Sequence, residues 1–221
     1  FARDSVWTDV NYTYDGLALP LTIGAWYLNG INGSAFGAVY DEVRLYAGVG
    51  LGTYAGFDFD LGYTHYVFPE FRSNILPIGD YGELELAVTR SLGWVDLRFA
   101  TTYAFGDGGG IAPRGWFHEL GVEKTFDLTD AIGFVVGTGV AYSDGYWGPS
   151  AWNHYYATAS LPISLNCRTT LTPYIGYVGG PDTWVVDGVL GADTAQSDIL
   201  HGGVSSVSYT HLRAHETKAN L

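Results

Sequence analysis

Apolar and polar residues alternate with a period of two along most of the chain. Between residues 39 and 51, for example, Val43 and Leu45 alternate with Glu42 and Arg44. Side chains two apart on a strand share a face, so this pattern predicts amphipathic β-strands. The predicted strands lie at about 5–14, 17–28, 39–51, 54–67, 81–91, 94–105, 116–126, 131–142, 153–164, 169–178 and 198–209.

The connections between these strands alternate between short and long. Short polar or glycine turns are predicted at 15–16, 50–53, 91–93, 127–130 and 165–168. Long links are predicted at about 29–38, 68–80, 107–115, 143–152 and 179–197. Outer-membrane barrels show this asymmetry, because their short turns face the periplasm and their long loops face outside. The sequence therefore predicts an all-β fold, an antiparallel up-and-down transmembrane β-barrel in the bacterial outer membrane.

The strand count predicts one strand more than the sequence contains. Eleven strands are visible, and bacterial single-chain barrels have even strand numbers. The first visible strand enters the tight turn Asp15-Gly16 and so runs toward the periplasm. An upgoing strand is therefore expected before residue 5, which makes twelve. Since the chain opens in mid-pattern at Phe1, we expect a signal peptide and one amphipathic strand upstream.

Alternation alone leaves open which face is turned outward. A soluble barrel or sandwich would bury the apolar face, whereas a membrane barrel turns it toward lipid. Aromatic residues near the long-loop ends favour the membrane barrel, because such residues form girdles at the bilayer interface. The predicted girdle or loop aromatics are Trp26, Tyr27, Tyr66, Phe68, Trp116, Trp147, Trp152 and Tyr155.

The stretch at 40–70, YDEVRLYAGVGLGTYAGFDFDLGYTHYVFPE, resembles the TorF-like porins. The segments GAWYLNG at 24–30 and DYGELELAV at 80–88 also fit the strands of that family. The similarity is clear over about 24–105 and weaker afterwards. The shared motifs are structural, so the resemblance implies an outer-membrane barrel with a transport role.

Charge narrows the function further. The formal net charge is -13, which excludes the basic footprint that nucleic-acid binding requires. Charged residues on the polar face are predicted to line the pore: Glu42, Arg44, Asp58, Asp60, Glu83, Glu85, Asp96, Arg98, Glu119 and Glu123. Because carboxylates predominate, we predict passive diffusion of small solutes or ions with a modest cation preference, with outer-membrane lipid around the barrel. The alternative is a plugged structural barrel, or one that binds a surface glycan through aromatics such as Trp147 and Trp152.

Catalysis is not predicted. Asp58 and Asp60 share a strand face, but no substrate or pKa-shifting partner accompanies them, so they are interpreted as electrostatic groups. His65 has no serine beside it, and the His201/Ser205 pair is not a convincing nucleophile arrangement. The lone Cys167 cannot form an internal disulfide, and no metal-ligand spacing appears. No cofactor is therefore predicted.

The last residues differ in character from the rest. Alternation stops after Tyr209, and the stretch VSYTHLRAHETKANL resembles translated sequencing-adapter read-through. We therefore divide the chain into a barrel at 1–209 and a non-native tail at 210–221, with a native tail as the alternative.

Overall fold

The structure is a computed structural model that describes residues 5–30, 41–69, 79–106, 112–146, 150–167, 169–180 and 198–208. These residues form twelve β-strands. In chain order they are β1 Ser5–Tyr14, β2 Leu21–Gly30, β3 Asp41–Tyr54, β4 Phe57–Val67, β5 Tyr81–Ser91, β6 Asp96–Gly106, β7 Gly115–Thr129, β8 Ile132–Asp144, β9 Ala151–Ser160, β10 Ile163–Asn166, β11 Thr169–Gly179 and β12 Ile199–Ser208.

All twelve strands belong to one antiparallel sheet, in which each strand pairs with its sequence neighbours except that β9 and β10 share one position between β8 and β11. The short connections lie at one end of the strands and the long ones at the other. The predicted all-β, up-and-down barrel is therefore confirmed. Among the described residues, no helix is long and apolar enough to cross a membrane.

One predicted strand is split in two. β9 and β10 flank Leu161-Pro162, and both pair with β8 and β11. Proline lacks the N–H that a ladder requires, so the strand breaks there. Gly133 N donates to the carbonyl of Pro162 at 3.0 Å, which keeps the two halves in one position of the sheet.

One predicted turn was misplaced. The glycines at 50–53 suggested a turn, but β3 continues to Tyr54 and the chain reverses at Ala55-Gly56. These two residues have φ of 52° and 77°, the left-handed pair that a type I′ hairpin turn needs. The register instead shifts between Gly50 and Gly52, and Gly52 has φ of 93°. The glycines at 50–53 therefore mark a β-bulge, which lies a few residues before the turn at Ala55-Gly56.

Burial distinguishes the two faces of the sheet. Most of the buried side chains lie on the polar face, which we call the inner face. They include Glu42, Tyr81, Glu83, Ala87, Ala100, Thr102, Ala104, Ala141 and Ser143. The other face, which we call the outer face, carries exposed apolar side chains such as Leu45, Leu84 and Leu120. This is an apolar surface that lipid, rather than protein, is suited to cover.

The sheet has two free edges among the described strands, β1 and β12. With β9 and β10 sharing one position, the path from β1 to β12 has eleven positions, so these two edge strands run in the same direction. An antiparallel closure therefore needs one more strand between them, the number that the parity argument predicts. The position of that strand upstream of residue 5 stays a prediction.

Aromatic rings lie directly opposite glycines at several points of the ladder. On the inner face Tyr46 is paired with Gly24, and Tyr156 with Gly139. A Cβ atom at Gly139 would come within 2.6 Å of the Tyr156 ring, so only glycine leaves room for it. The ring lies flat against the wall, which explains how one sheet accommodates abundant glycine together with abundant tyrosine.

Candidate channel interior

The strand register brings the predicted pore-lining residues to one face. Arg44 is level with Tyr66 on β4, Asp96 with Glu123 on β7, and Ala100 with Glu119. Glu42, Asp58, Asp60, Glu83, Glu85 and Arg98 have the same parity in their strands, so all of the predicted set lies on the inner face. This face is the wall of the candidate channel.

Arg44 is enclosed by its neighbours at the long-loop end of the wall. Its guanidinium lies 4.2 Å from the Trp26 ring centroid and 5.0 Å from that of Tyr66. It also forms an ion pair with Glu42, whose side chain is only 6% exposed. The two aromatic rings and the carboxylate therefore contact the guanidinium from several sides. Arg44 is therefore poorly placed to attract an anion from solution.

Arg98 is engaged in the same way farther along the wall. It donates to Glu85 at 2.8 Å and to Glu119 at 3.5 Å. Tyr156 donates to Glu119 at 3.4 Å, and Thr102 donates to Glu85 at the same distance. The arginine bridges two carboxylates, so the group as a whole remains negative.

Four exposed carboxylates of the predicted pore-lining set lie outside these groups: Asp58, Asp60, Asp96 and Glu123. Each is exposed, and within the described ranges none forms an ion pair with lysine or arginine. Asp96 and Glu123 are directly opposite on β6 and β7, an arrangement in which like charges repel each other. These four residues give the wall an uncompensated negative charge.

A buried aromatic cluster, which we call the mouth cluster, closes part of the long-loop end. It comprises Tyr66, Phe68, Tyr81, Glu83 and Tyr146. Tyr66 donates to Glu83 at 2.8 Å, Tyr146 donates to the other oxygen of that carboxylate, and the Tyr66 and Tyr81 rings stack at 4.4 Å. Glu83 is 8% exposed, so the two phenols supply the hydrogen bonds that a carboxylate withdrawn from water requires.

Tyr146 enters this cluster from just beyond the end of β8. Its carbonyl accepts from Arg114 N at 3.1 Å, and its N–H donates to Ser143 Oγ at 3.3 Å. Its ring packs 5.3 Å from that of Phe117. Burial, followed by the nearby Glu83 charge, raises the pKa of Tyr146 far above its ordinary range. The phenol therefore keeps its proton and remains a hydrogen-bond donor.

The aromatic residues predicted for a girdle fall into three groups. Tyr27, Trp116, Trp152 and Tyr155 are exposed, with Trp116 packed 4.9 Å from Tyr103 and Trp152 lying 5.7 Å from Tyr142. The inner face holds two others, since Trp26 lies beside Arg44 and Tyr66 belongs to the mouth cluster. Phe68 is buried in the same cluster, just after the end of β4. Trp147 lies outside the described residues.

The histidines form local contacts. His65 lies 3.5 Å from the Tyr63 hydroxyl, His118 lies 2.9 Å from that of Thr101, and His154 lies 2.7 Å from Asn153. In the part of the chain that the structure covers, no serine hydroxyl is within hydrogen-bond distance of a histidine ring nitrogen. The same residues contain no group of three or more potential metal ligands among His, Cys, Asp and Glu.

Three tyrosines that contact inner-face carboxylates are not among the predicted site residues. Tyr46 donates to Asp9 at 2.6 Å, and Tyr156 donates to Glu119. Strand parity alone would have found both of these. Tyr146 could not be found in that way, because it follows a strand end and its partner Glu83 is 63 positions away in sequence.

The single antiparallel sheet, its polar inner face and its apolar outer face define a membrane-type β-barrel of porin architecture. Among solved structures the chain is similar to a KdgM porin, with a TM-score of 0.59 and 10% identity, over 93% of this chain and 92% of that chain. It is equally similar to a KdgM porin in complex with disordered oligogalacturonate, with a TM-score of 0.58 and 10% identity, over the same shares of the two chains. At this identity the similarity shows the fold.

No family model matches the chain, and no curated protein matches it. The resemblance to TorF-like porins therefore stays a prediction. The proposed read-through tail also stays a prediction, since residues 209–221 lie outside the described part.

Proposed function

We propose that the protein is a porin-type channel of the bacterial outer membrane, through which small solutes diffuse passively with a preference for cations. The observation that carries this proposal is the charge state of the inner face. Both of its arginines are engaged by carboxylates, while Asp58, Asp60, Asp96 and Glu123 are exposed without a cationic partner among the described residues. No reaction is assigned to the chain.

The size of the effect follows from Coulomb's law. A cation about 4 Å from one carboxylate in water gains about 1 kcal/mol, which corresponds to about a fivefold local enrichment. Several such groups along one wall therefore give a modest preference rather than strict selection. Salt screens these charges, with a Debye length of about 10 Å at 0.1 M. The preference should decrease as the salt concentration rises.

The first test is a reversal-potential measurement. Purified, detergent-refolded protein is inserted into a planar bilayer with a KCl gradient, and the zero-current voltage is recorded. We expect single-channel steps and a reversal potential of cation-selective sign, which becomes smaller when both compartments are raised in salt. A reversal potential of anion-selective sign would overturn the charge argument. Absence of steps from correctly folded protein would instead favour the plugged-barrel alternative.

The inner face also predicts how the channel treats acidic sugars. Oligogalacturonate, which is bound in one of the similar porin structures, carries a carboxylate on each sugar. Because Arg44 and Arg98 are engaged, the described part of the inner face offers few free cations to such a polymer. In the same bilayer, we expect added oligogalacturonate to leave the current unchanged. Concentration-dependent block would show that the wall accepts polyanions and would overturn this part of the proposal.

A further inference from the structure

The contact between Tyr146 and Glu83 crosses part of the barrel interior. Tyr146 follows β8 and Glu83 lies on β5, and these two strands are separated in the sheet by β6 and β7. Neighbouring strands lie about 4.8 Å apart, so the contact joins points about 14 Å apart along the wall. A side chain that reaches from one such point to the other must pass over the inner face.

The space beneath this contact is filled. Ala104 on β6 is fully buried, and Pro113, just before β7, is likewise among the most enclosed residues. Phe117 on β7 packs against the Tyr146 ring, and Ala112 packs against the mouth cluster. The wall at β6 and β7 is therefore thickened by side chains from the long-loop end. A solute cannot pass between Tyr146 and that wall.

Tyr146 is also held firmly in place. Its backbone is hydrogen-bonded on both sides, to Arg114 and Ser143, and its phenol donates to a carboxylate that Tyr66 also binds. Farther along the β6–β8 wall, small inner residues such as Ala100 and Gly121 lie among larger ones such as Arg98 and Glu119. The Tyr146–Glu83 contact spans the wall at its long-loop end.

We infer that Tyr146, anchored on Glu83, sets the narrowest cross-section at the outer end of the channel and so determines the size of solute that enters. This inference rests on the proposed channel function and adds a specificity-determining residue to it. The solutes admitted are small and hydrophilic, either uncharged or cationic, because the inner face beyond the mouth carries exposed carboxylates such as Asp96 and Glu123.

The test compares Tyr146→Ala with two matched variants. Tyr146→Phe retains the ring and loses only the hydroxyl, and Tyr142→Ala removes a tyrosine from the outer face of β8, the strand that Tyr146 follows. Single-channel conductance is measured first. Swelling rates of proteoliposomes are then measured in neutral sugars of increasing size. We expect Tyr146→Ala to raise conductance at least about 1.5-fold and to admit larger sugars. We expect Tyr146→Phe to have a smaller effect, because the ring remains while its hydrogen bond to Glu83 is lost, and Tyr142→Ala to keep the wild-type size limit.

A thiol variant keeps the inference testable if Tyr146→Ala does not fold. Cys167 is exposed and is first replaced by serine, so that a new cysteine is the only thiol. In Cys167→Ser/Tyr146→Cys, we expect an initially raised conductance that falls when bulky thiol reagents of increasing size are attached. If the wild type conducts and these variants show wild-type conductance and size limit, the inference is wrong. If the wild type itself shows no steps, the channel proposal fails.

Discussion

Replacing Leu120 with arginine is expected to destabilise the folded barrel by about 2–4 kcal/mol, the range for a cationic side chain on the lipid face at the bilayer midplane. Leu120 is on the outer face, 45% exposed, and lies between Phe99 and Val140 on the adjacent strands. It is roughly midway along β7 between Trp116 at one end and Phe126 at the other. An arginine there must either leave water or distort the bilayer around it.

The measurement is the free energy of unfolding in denaturant, with the protein reconstituted in lipid vesicles. Leu120→Ala measures the loss of the leucine side chain alone. Thr125→Arg places the same charge on β7 but on the inner face, where Thr125 is exposed. We expect Thr125→Arg to change the stability by less than about 1 kcal/mol. Equal destabilisation by Leu120→Arg and Thr125→Arg would mean that the outer face does not contact lipid.

Neutralising Asp58 and Asp60 is expected to lower the cation preference about two- to fivefold, since a cation close to one of the two carboxylates in water gains about 1 kcal/mol, which is about fivefold. Both are exposed on the inner face of β4, level with Thr89 and Ala87 of β5. The Asp58→Asn/Asp60→Asn variant keeps the size of both side chains, so conductance should change less than selectivity.

The matched control is Asp15→Asn/Asp130→Asn, which removes two charges from short turns rather than from the wall. The reversal potential in a KCl gradient distinguishes the two double variants. The wall variant should move it toward zero, and the turn variant should leave it at the wild-type value. If the turn variant has the larger effect, the selectivity arises at the channel entrance and not along β4.

Most of the strand architecture could be predicted because the period-two signal is local. The predicted 81–91 strand coincides with β5, and most other strands agree within a few residues. The errors arose at glycine and proline, because each of these residues is compatible with more than one local structure. Gly50 and Gly52 indicated a turn but form a bulge, and Pro162 divides a strand that alternation alone read as continuous.

Less of the interior could be predicted, because contacts across the barrel depend on three-dimensional closure. The parity of a strand placed Arg44 and Glu83 on the polar face, but it could not show that Trp26 and Tyr66 enclose the arginine. Both rings are among the aromatic residues predicted for a girdle or loop, because proximity to a long-loop end does not reveal which face a residue takes. The hydrogen bond between Tyr146 and Glu83 could be identified only from the three-dimensional structure.

The rings that lie flat over glycine suggest how sequences of this kind vary. The Tyr156 ring occupies the space that a side chain at Gly139 would fill, and the Tyr46 ring occupies the corresponding space at Gly24. Replacing the glycine alone would push the ring toward the channel interior, which would narrow the channel without changing its charge. We therefore expect homologues to inherit each ring and its glycine as a linked pair, with substitutions at one position accompanied by substitutions at the other.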